Sequence, residues 1–326
     1  MDTKELYEGI DFKQLNDLRI NNKDIIVKRK FYIISITLII AIFAYFILFR
    51  YIFDSFGQNA DFFRIVSIFL ISFLLYKGLH KKFIEKYILD FKNSFVDNVL
   101  NIILQKLNLN LNLNIESKLK ESEFSEGKIY TNFNHFKAEE LFEGVIDGIN
   151  YKFSEVEIRR KAKRVNILVI RGFYANFNYE INTDIIIDVV KDVLNDIDWL
   201  QNNNLNRDTR IKIDDADFER SYMVYSNKPE LAMELISPTF IKNLKQLSSS
   251  LASELYLTIR KGKVHIAFAD GTDYFNLDYN LTIEELADNF TKDIKHLSKR
   301  MEDIKNFIDK NILEVLNEKG NISTLI

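Results

Sequence analysis

The densest basic run in the sequence is Arg159-Arg160-Lys161-Ala162-Lys163-Arg164. Side chains of this kind either dock on anionic lipid, at about 1 kcal/mol per basic residue near the surface, or solvate the tip of a hairpin. Acidic residues gather at Asp214, Asp215, Asp217 and Glu219. That group lacks the glycine and distal glutamate of a calcium loop, so a solvated turn is expected. Asp270-Gly271-Thr272-Asp273 reads as a turn before it reads as a metal site. Glu155 lies in a charge-rich strand beside Arg159 and Arg160, which predicts a surface ion pair worth about 0–1 kcal/mol. His135 and His265 fall in or near apolar strand patterns and read as satisfied core or surface residues, and Trp199, the only tryptophan, as a core or edge anchor.

Several chemistries are excluded outright. There is no cysteine, hence no disulfide, thiolate zinc site, iron–sulfur cluster or cysteine nucleophile. The phosphate-binding loop G-x-x-x-x-G-K-[ST], the dinucleotide fingerprint G-x-G-x-x-G, the zinc motif H-E-x-x-H and the nucleophile elbow G-x-S-x-G are all missing. The sequence therefore assigns no catalytic, cofactor-binding or metal-ligating residue. A formal charge of −3, from 44 basic and 47 acidic residues, argues against a nucleic-acid partner.

The elements that must carry these residues begin with a membrane pattern. Residues 31–49, FYIISITLIIAIFAYFILF, contain no charge. At about 1.5 Å per residue they span roughly 28 Å, close to the hydrocarbon thickness of a bilayer. A second run, 62–79, has Arg64 near its start and Lys77 near its end, both able to snorkel. About 30 mostly polar residues before the first run and no small-residue cleavage site after it argue against a signal peptide. A buried core helix remains an alternative only for the second run. Lysine and arginine flank the pair at 23–30 and 77–86, while the connection holds only Arg50. Both flanks are therefore expected on the cytoplasmic side.

Beyond the second run, Ile84, Ile88, Phe91, Phe95, Val99, Ile103 and Leu107 recur at helical steps, as in a stalk helix. LNLNLNLN, 107–114, reads as a helix end or a short strand. Residues 143–148, 151–159 and 165–179 read as strands, with Asp147-Gly148 a hairpin turn and 166–170 a strand buried on both faces. A short strand running into a helix is expected over 184–200, and strands over 210–213 and 218–225. Asn227 and Ser237 are the expected caps of two helices that Pro229 and Pro238 open. Strands at 255–259 and 264–268 flank a turn at Lys261-Gly262-Lys263. Thr282-x-x-Glu285 is a capping box. It starts a helix striped by Leu286, Phe290, Ile294, Leu297, Met301, Ile304, Ile308 and Val315, for packing on its own domain or for self-association. Residues 1–30 read as an amphipathic helix or a solvated tail.

Residues 218–247, FERSYMVYSNKPELAMELISPTFIKNLKQL, resemble the bacterial family catalogued as domain of unknown function 3137. The matching positions are Phe218, Glu219, Arg220, Val224, Tyr225, Ser226, Ala232 and Pro238. EGVIDGINYKFSEVEI (143–158) and GFYANF (172–177) are similar to further segments of it. The resemblance implies two N-terminal spans followed by one soluble domain, and a LemA-type or other envelope protein as partner. It implies no activity.

The expected fold is α+β: a transmembrane helical hairpin and stalk helix, then a mainly antiparallel β-rich cytoplasmic domain with inserted short helices and a long C-terminal helix. Its parts are an N-terminal cytoplasmic segment (1–30), the hairpin (31–79, spans 31–49 and 62–79), the stalk (80–114), the α+β domain (115–281) and the final helix (282–326). Three functions are consistent with this layout in the inner membrane. They are a protein-interaction or scaffold module, homo-oligomers included; an enzyme or small-ligand receptor with an unrecognised pocket; and an anionic-lipid surface sensor using Arg159, Arg160, Lys161, Lys163 and Arg164.

Overall fold

Alternation of apolar and polar residues decides how this sheet divides its two faces. The computed structural model describes residues 3–51, 60–107, 109–114, 117–162, 165–182, 184–191, 208–253, 255–271, 274–275 and 277–319. Expectations for the connection between the apolar runs, for Trp199 and for the helix after residue 191 lie outside them. The contacts divide the chain into two units, Met1–Ile103 with Leu277–Asn289, and Leu104–Asn276 with Phe290–Ile326. The molecule is α+β, with an N-terminal apolar helix, an antiparallel sheet domain and a C-terminal helix.

In the first unit, one helix runs from Phe12 to Tyr51 and a second from Ala60 to Phe83, continued by Glu85–Phe95 and a π turn at Val96–Leu100. Residues 12–30 are the first turns of the long helix rather than a tail. Asn16 binds the Glu284 carboxylate at 2.9 Å and accepts the Ile283 N–H at 3.0 Å. Arg19 donates to the Tyr279 carbonyl, and Lys23 to Asn280 at 3.0 Å. Ile26 and Ile33 pack with Tyr76, Leu79, Ile84 and Tyr87. Arg29 donates to the Tyr87 hydroxyl at 2.8 Å and lies over its ring. Over Phe12–Ile47 the helix is long and apolar enough to cross a membrane, with little of it buried. Phe31, Tyr32, Leu38, Ile39, Phe43 and Phe46 are all exposed.

The second unit holds a nine-stranded antiparallel sheet. In chain order the strands are β1 Leu111–Asn114, β2 His135–Ile146, β3 Ile149–Ala162, β4 Val165–Asn178, β5 Ile187–Lys191, β6 Thr209–Ile211, β7 Tyr222–Ser226, β8 Leu255–Arg260 and β9 Lys263–Phe268. Their spatial order is β1-β2-β3-β4-β9-β8-β5-β7-β6. The LNLN repeat thus ends as a strand. The β2–β3 and β8–β9 turns place Asp147-Gly148 (φ 48° and 80°) and Lys261-Gly262 (φ 51° and 77°) in the left-handed region, as a tight two-residue hairpin requires.

One register row crosses every strand: Leu113, Phe142, Phe153, Ala175, Ile266, Leu257, Val189, Val224 and Ile211 are successive partners, and all are buried. Side chains alternate between faces with period two, so this row marks the core face. Phe142 stacks on Phe153 at 4.6 Å, and Phe275 bridges Phe142 to Phe290 at the start of the helix stripe. The C-terminal helix, Ile283–Ile308, starts at the Thr282–Glu285 capping box, with both reciprocal bonds formed. Its apolar stripe is buried within the protomer from Leu286 to Ile308. Val315, farther along, is half-buried. Arg300 fixes the middle of the helix. It pairs with Asp270 and donates to the Tyr274 hydroxyl at 3.0 Å and the Leu251 carbonyl at 3.2 Å.

Four local expectations change. Of residues 166–170, 166–168 are exposed, Val169 is half-buried and only Ile170 is buried, because β9 pairs with β4 only from Phe173 onward. Residues 216–221 form a helix before β7. Lys228, not Asn227, occupies the cap before Pro229, because Asn227 spans to the strand beside it, accepting the Ile186 N–H at 2.9 Å and donating to the Asp184 carbonyl. Glu155 is buried and accepts the Tyr274 N–H at 3.3 Å instead of sitting in a surface ion pair. Ser237 caps the helix Pro238–Ser250 as expected.

Candidate functional site

The row one residue along from the core row faces the other side of the sheet. It reads Asn112, Glu143, Lys152, Asn176, His265, Thr258, Asp188, Tyr225 and Arg210, again one partner per strand. A polar residue occupies every strand of the sheet. The row is exposed or half-buried at both ends and buried from Asn176 to Tyr225. Asp188, Thr258 and His265 Nδ1 in its buried stretch have hydrogen-bond partners, as low-dielectric surroundings demand. Arg260 holds Asp188 through two bonds of 2.9 and 2.6 Å. Thr258 donates to the Gly127 carbonyl at 2.5 Å. Tyr174, on the neighbouring row, donates to the Glu123 carbonyl at 3.1 Å and meets His265 Nδ1 at 2.6 Å. Burial pushes His265 down to about 4, so the ring is neutral near pH 7. Its Nε2 has no hydrogen-bond partner among the described residues.

The short helix Glu121–Gly127 closes over this buried centre. A Cβ on Gly127 would meet the His265 ring at 3.0 Å and the Tyr174 hydroxyl at 3.1 Å, so a glycine is what lets the helix end approach this closely. Phe124 of that helix joins Tyr174, Ile158, Ile170, Met223 and Tyr256 in a second apolar core. Beside it the row opens into a groove of about 510 Å³, lined by Asn112, Glu143, Lys152, Asn176, Asn178 and Lys263 among others. Lys152 and Glu143 form an ion pair at 2.5 Å. The groove therefore offers amide and ammonium groups, with its carboxylate already engaged. Amide and ammonium groups of this kind are hydrogen-bond donors and acceptors for a polar ligand. Among the described residues no group of three or more His, Asp or Glu side chains gathers to hold a metal ion.

The basic run lies elsewhere, at the far end of the β3–β4 hairpin. Arg159 is bound to Glu157 at 2.5 Å, Arg160 is buried, and Lys161 is exposed. Strand alternation thus splits the run between two faces. Lys163 and Arg164 lie outside the described residues. This end of the hairpin also carries exposed Val165, Ile167 and Leu168, the last two of which the sequence pattern had placed in a strand buried on both faces.

Residues 171–316 match the family described as "Protein of unknown function (DUF3137)". The match covers less than half of the chain. No curated protein matches the chain. Among solved structures, the crystal structure of the mycobacterial trehalose monomycolate transport factor A, TtfA, matches at 10% identity over 59% of this chain and 88% of its own, with a TM-score of 0.29. A likeness that loose transfers no activity.

The positions that carry the family resemblance are architectural. Phe218 is buried and stacks on Tyr222 at 5.2 Å. Glu219 accepts the Ile213 N–H at 2.9 Å and binds Arg210 at 3.1 Å, which fixes edge strand β6. Val224 and Tyr225 are buried in β7. Ser226 donates to the Ile186 carbonyl at 2.7 Å and accepts the Lys228 N–H at 2.9 Å. Ala232 is buried, and Pro238 opens its helix. The acidic group belongs to the same construction. Asp215 caps the 216–221 helix, accepting the Phe218 N–H at 2.7 Å, and Asp217 lies in the first turn. Anionic side chains there are favoured by the helix dipole. Asp270 is consumed by Arg300 and Tyr274. His135 lies on the surface, 4.0 Å from Glu157.

Proposed function

We propose that the chain is a membrane-anchored binding module of the bacterial inner membrane, its sheet domain held at the cytoplasmic face by a helical hairpin. One observation carries the anchor: apart from the buried Ile33, the large apolar side chains from Phe31 to Ile47 are mostly exposed around the helix. In water that surface would be an aggregation hazard; in lipid it is the lowest-energy arrangement. The helix Ala60–Phe83 exposes Phe62, Ile65, Phe69, Leu70 and Leu74 in the same way, which supports two spans. The clusters Lys28–Lys30 and Lys81–Lys82 support a cytoplasmic position for both flanks.

Binding is supported by a groove lined by five asparagines and two lysines together with apolar Leu109, Leu111 and Val145. A protein partner, of the LemA-type envelope class or a second copy of the chain, is the favoured occupant of the domain. The groove's size also favours a second reading, reception of a small polar ligand. A reporter active only in the periplasm, fused after Ile326, is expected to be silent, and one fused at Ser55 active. Periplasmic activity after Ile326 would remove the cytoplasmic assignment. Crosslinking in intact membranes is expected to capture a discrete complex. Monomer alone under several crosslinkers would leave the small-ligand reading.

A further inference from the structure

The geometry points to the open end of the polar sheet face as a site for an acidic saccharide: Lys263 holds the carboxylate, and the asparagines beside it hold the sugar hydroxyls. This deepens the small-ligand reading of the groove above and rests on it.

Two adjacent rows build the floor. The first is the outer end of the polar row, Asn112, Glu143, Lys152 and Asn176, one partner per strand. The second lies two residues along each strand and so on the same face. It begins at Asn110, whose carbonyl accepts the Val145 N–H at 3.1 Å, and continues through the successive partners Val145, Asn150, Asn178 and Lys263. The helix Glu121–Gly127 closes over the polar row at His265 and Thr258. Towards β1 both rows stay open, with Asn110, Asn112, Asn150 and Asn178 exposed. Asparagine is depleted in strands, yet Asn112, Asn150, Asn176 and Asn178 all occupy strand positions on this face. The groove over them, about 510 Å³, is of a size that takes a small ligand.

The free groups specify the ligand. Among the described residues the side chains of Asn110, Asn112, Asn150 and Asn178 have no hydrogen-bond partner, and the Lys263 ammonium has no ion pair. Each carboxamide both donates and accepts, which is the pattern that hydroxyl groups complete. Lys152 is neutralised by Glu143 at 2.5 Å, so the floor keeps one uncompensated positive charge, at Lys263. A single cation suits a carboxylate and falls short of a polyphosphate. Neither row contributes an aromatic ring for stacking on a nucleobase, and Tyr151 packs on Phe153 in the core face. With strands about 4.8 Å apart, Asn178 and Asn150 stand one and two strands from Lys263. Hydroxyls on the same ring as the carboxylate reach them.

The full-length protein in phosphatidylcholine nanodiscs, which contain no sugar detergent, is titrated with four probes: glucuronate, glucose, acetate and N-acetylaspartate amide. Saturation-transfer NMR of the probe is the readout. Glucuronate is expected to bind about tenfold or more tighter than each of the others, the worth of one hydrogen bond to a charged group. Lys263→Met should lower glucuronate affinity about tenfold by the same measure and leave glucose unchanged. Lys263→Arg should keep the preference, and Asn178→Ala should weaken both sugars. Comparison among the probes uses the parent chain, so it stands whether or not the variants fold. Glucose bound as tightly as glucuronate overturns the acidic class and leaves the small-ligand reading. Acetate or the blocked aspartate bound as tightly as glucuronate overturns recognition of hydroxyls. A glucuronate preference that survives Lys263→Met overturns the placement of the carboxylate. Binding of none of the four overturns both the class and the small-ligand reading.

Discussion

His265 shows how a single residue in this sheet is set by its surroundings. The imidazole is buried in the middle of the polar row, against Tyr174 and beneath Gly127. Desolvation favours its neutral form, and the folded value falls from 6.5 to about 4. Between those values the unfolded chain takes up a proton that the folded chain refuses. Stability is therefore unaffected above about pH 6.5 and declines as the pH falls towards 4, by about 3 kcal/mol in all. Thermal unfolding of the full chain in detergent across this range should show the decline. His265→Gln should lack that component, and an unchanged pH profile in the variant would remove His265 as its source. The residue's type and apolar neighbours were legible in the sequence. The hydroxyl on Tyr174, 91 positions away, was not.

Elements are placed here by a few close approaches as much as by hydrophobic stripes. At Gly172 the chain leaving β9 crosses over β4, and a Cβ would collide with the Phe268 carbonyl and the Ala269 backbone. The crossing is tied down by a bond from Gly271 N–H to the Arg171 carbonyl at 3.1 Å. Gly172→Ala is expected to destabilise the fold by about 1–3 kcal/mol through overpacking. Gly148→Ala, strained at φ 80° but with open space around it, tests the other use of glycine and should cost about 1 kcal/mol. Equal unfolding midpoints for Gly172→Ala and the parent chain would show that the crossing yields. The strands, the C-terminal helix and its capping box were readable from period and cap chemistry. The helix at 216–221 was not, because six residues carry too little periodicity to compete with the strand pattern of 218–225.

At the scale of the molecule, the start of the C-terminal helix belongs to one unit and the rest of it to the other. Tyr7, Asn16, Arg19 and Lys23 of the N-terminal segment bond to Asp288, Glu284, Tyr279 and Asn280. Removing residues 1–103 takes away every one of those partners. Hydrogen exchange of the shortened chain, compared with the full chain in detergent, is expected to show lost protection over 283–289. Protection should persist over 290–308, where the apolar stripe stays buried. Unchanged protection over 283–289 would mean that the capping box alone holds that end. The same exchange experiment locates the helix start without relying on any assumption about a membrane.

The sequence by itself determined the apolar N-terminal helix, the strand periods, the proline-opened helices, the capping box and the family resemblance of residues 218–247. Each is a local signal, carried by composition or by spacing within about two turns or one strand. Tertiary structure alone decided which rows of the sheet align. A core row of nine apolar residues lies one position from a polar row of nine. Register between distant strands follows from pairing across the whole sheet, and a shift of one residue would exchange the two rows. For the same reason Val165, Ile167 and Leu168, apolar enough for a core, stand exposed at a tip: their neighbours in the sheet end before reaching them.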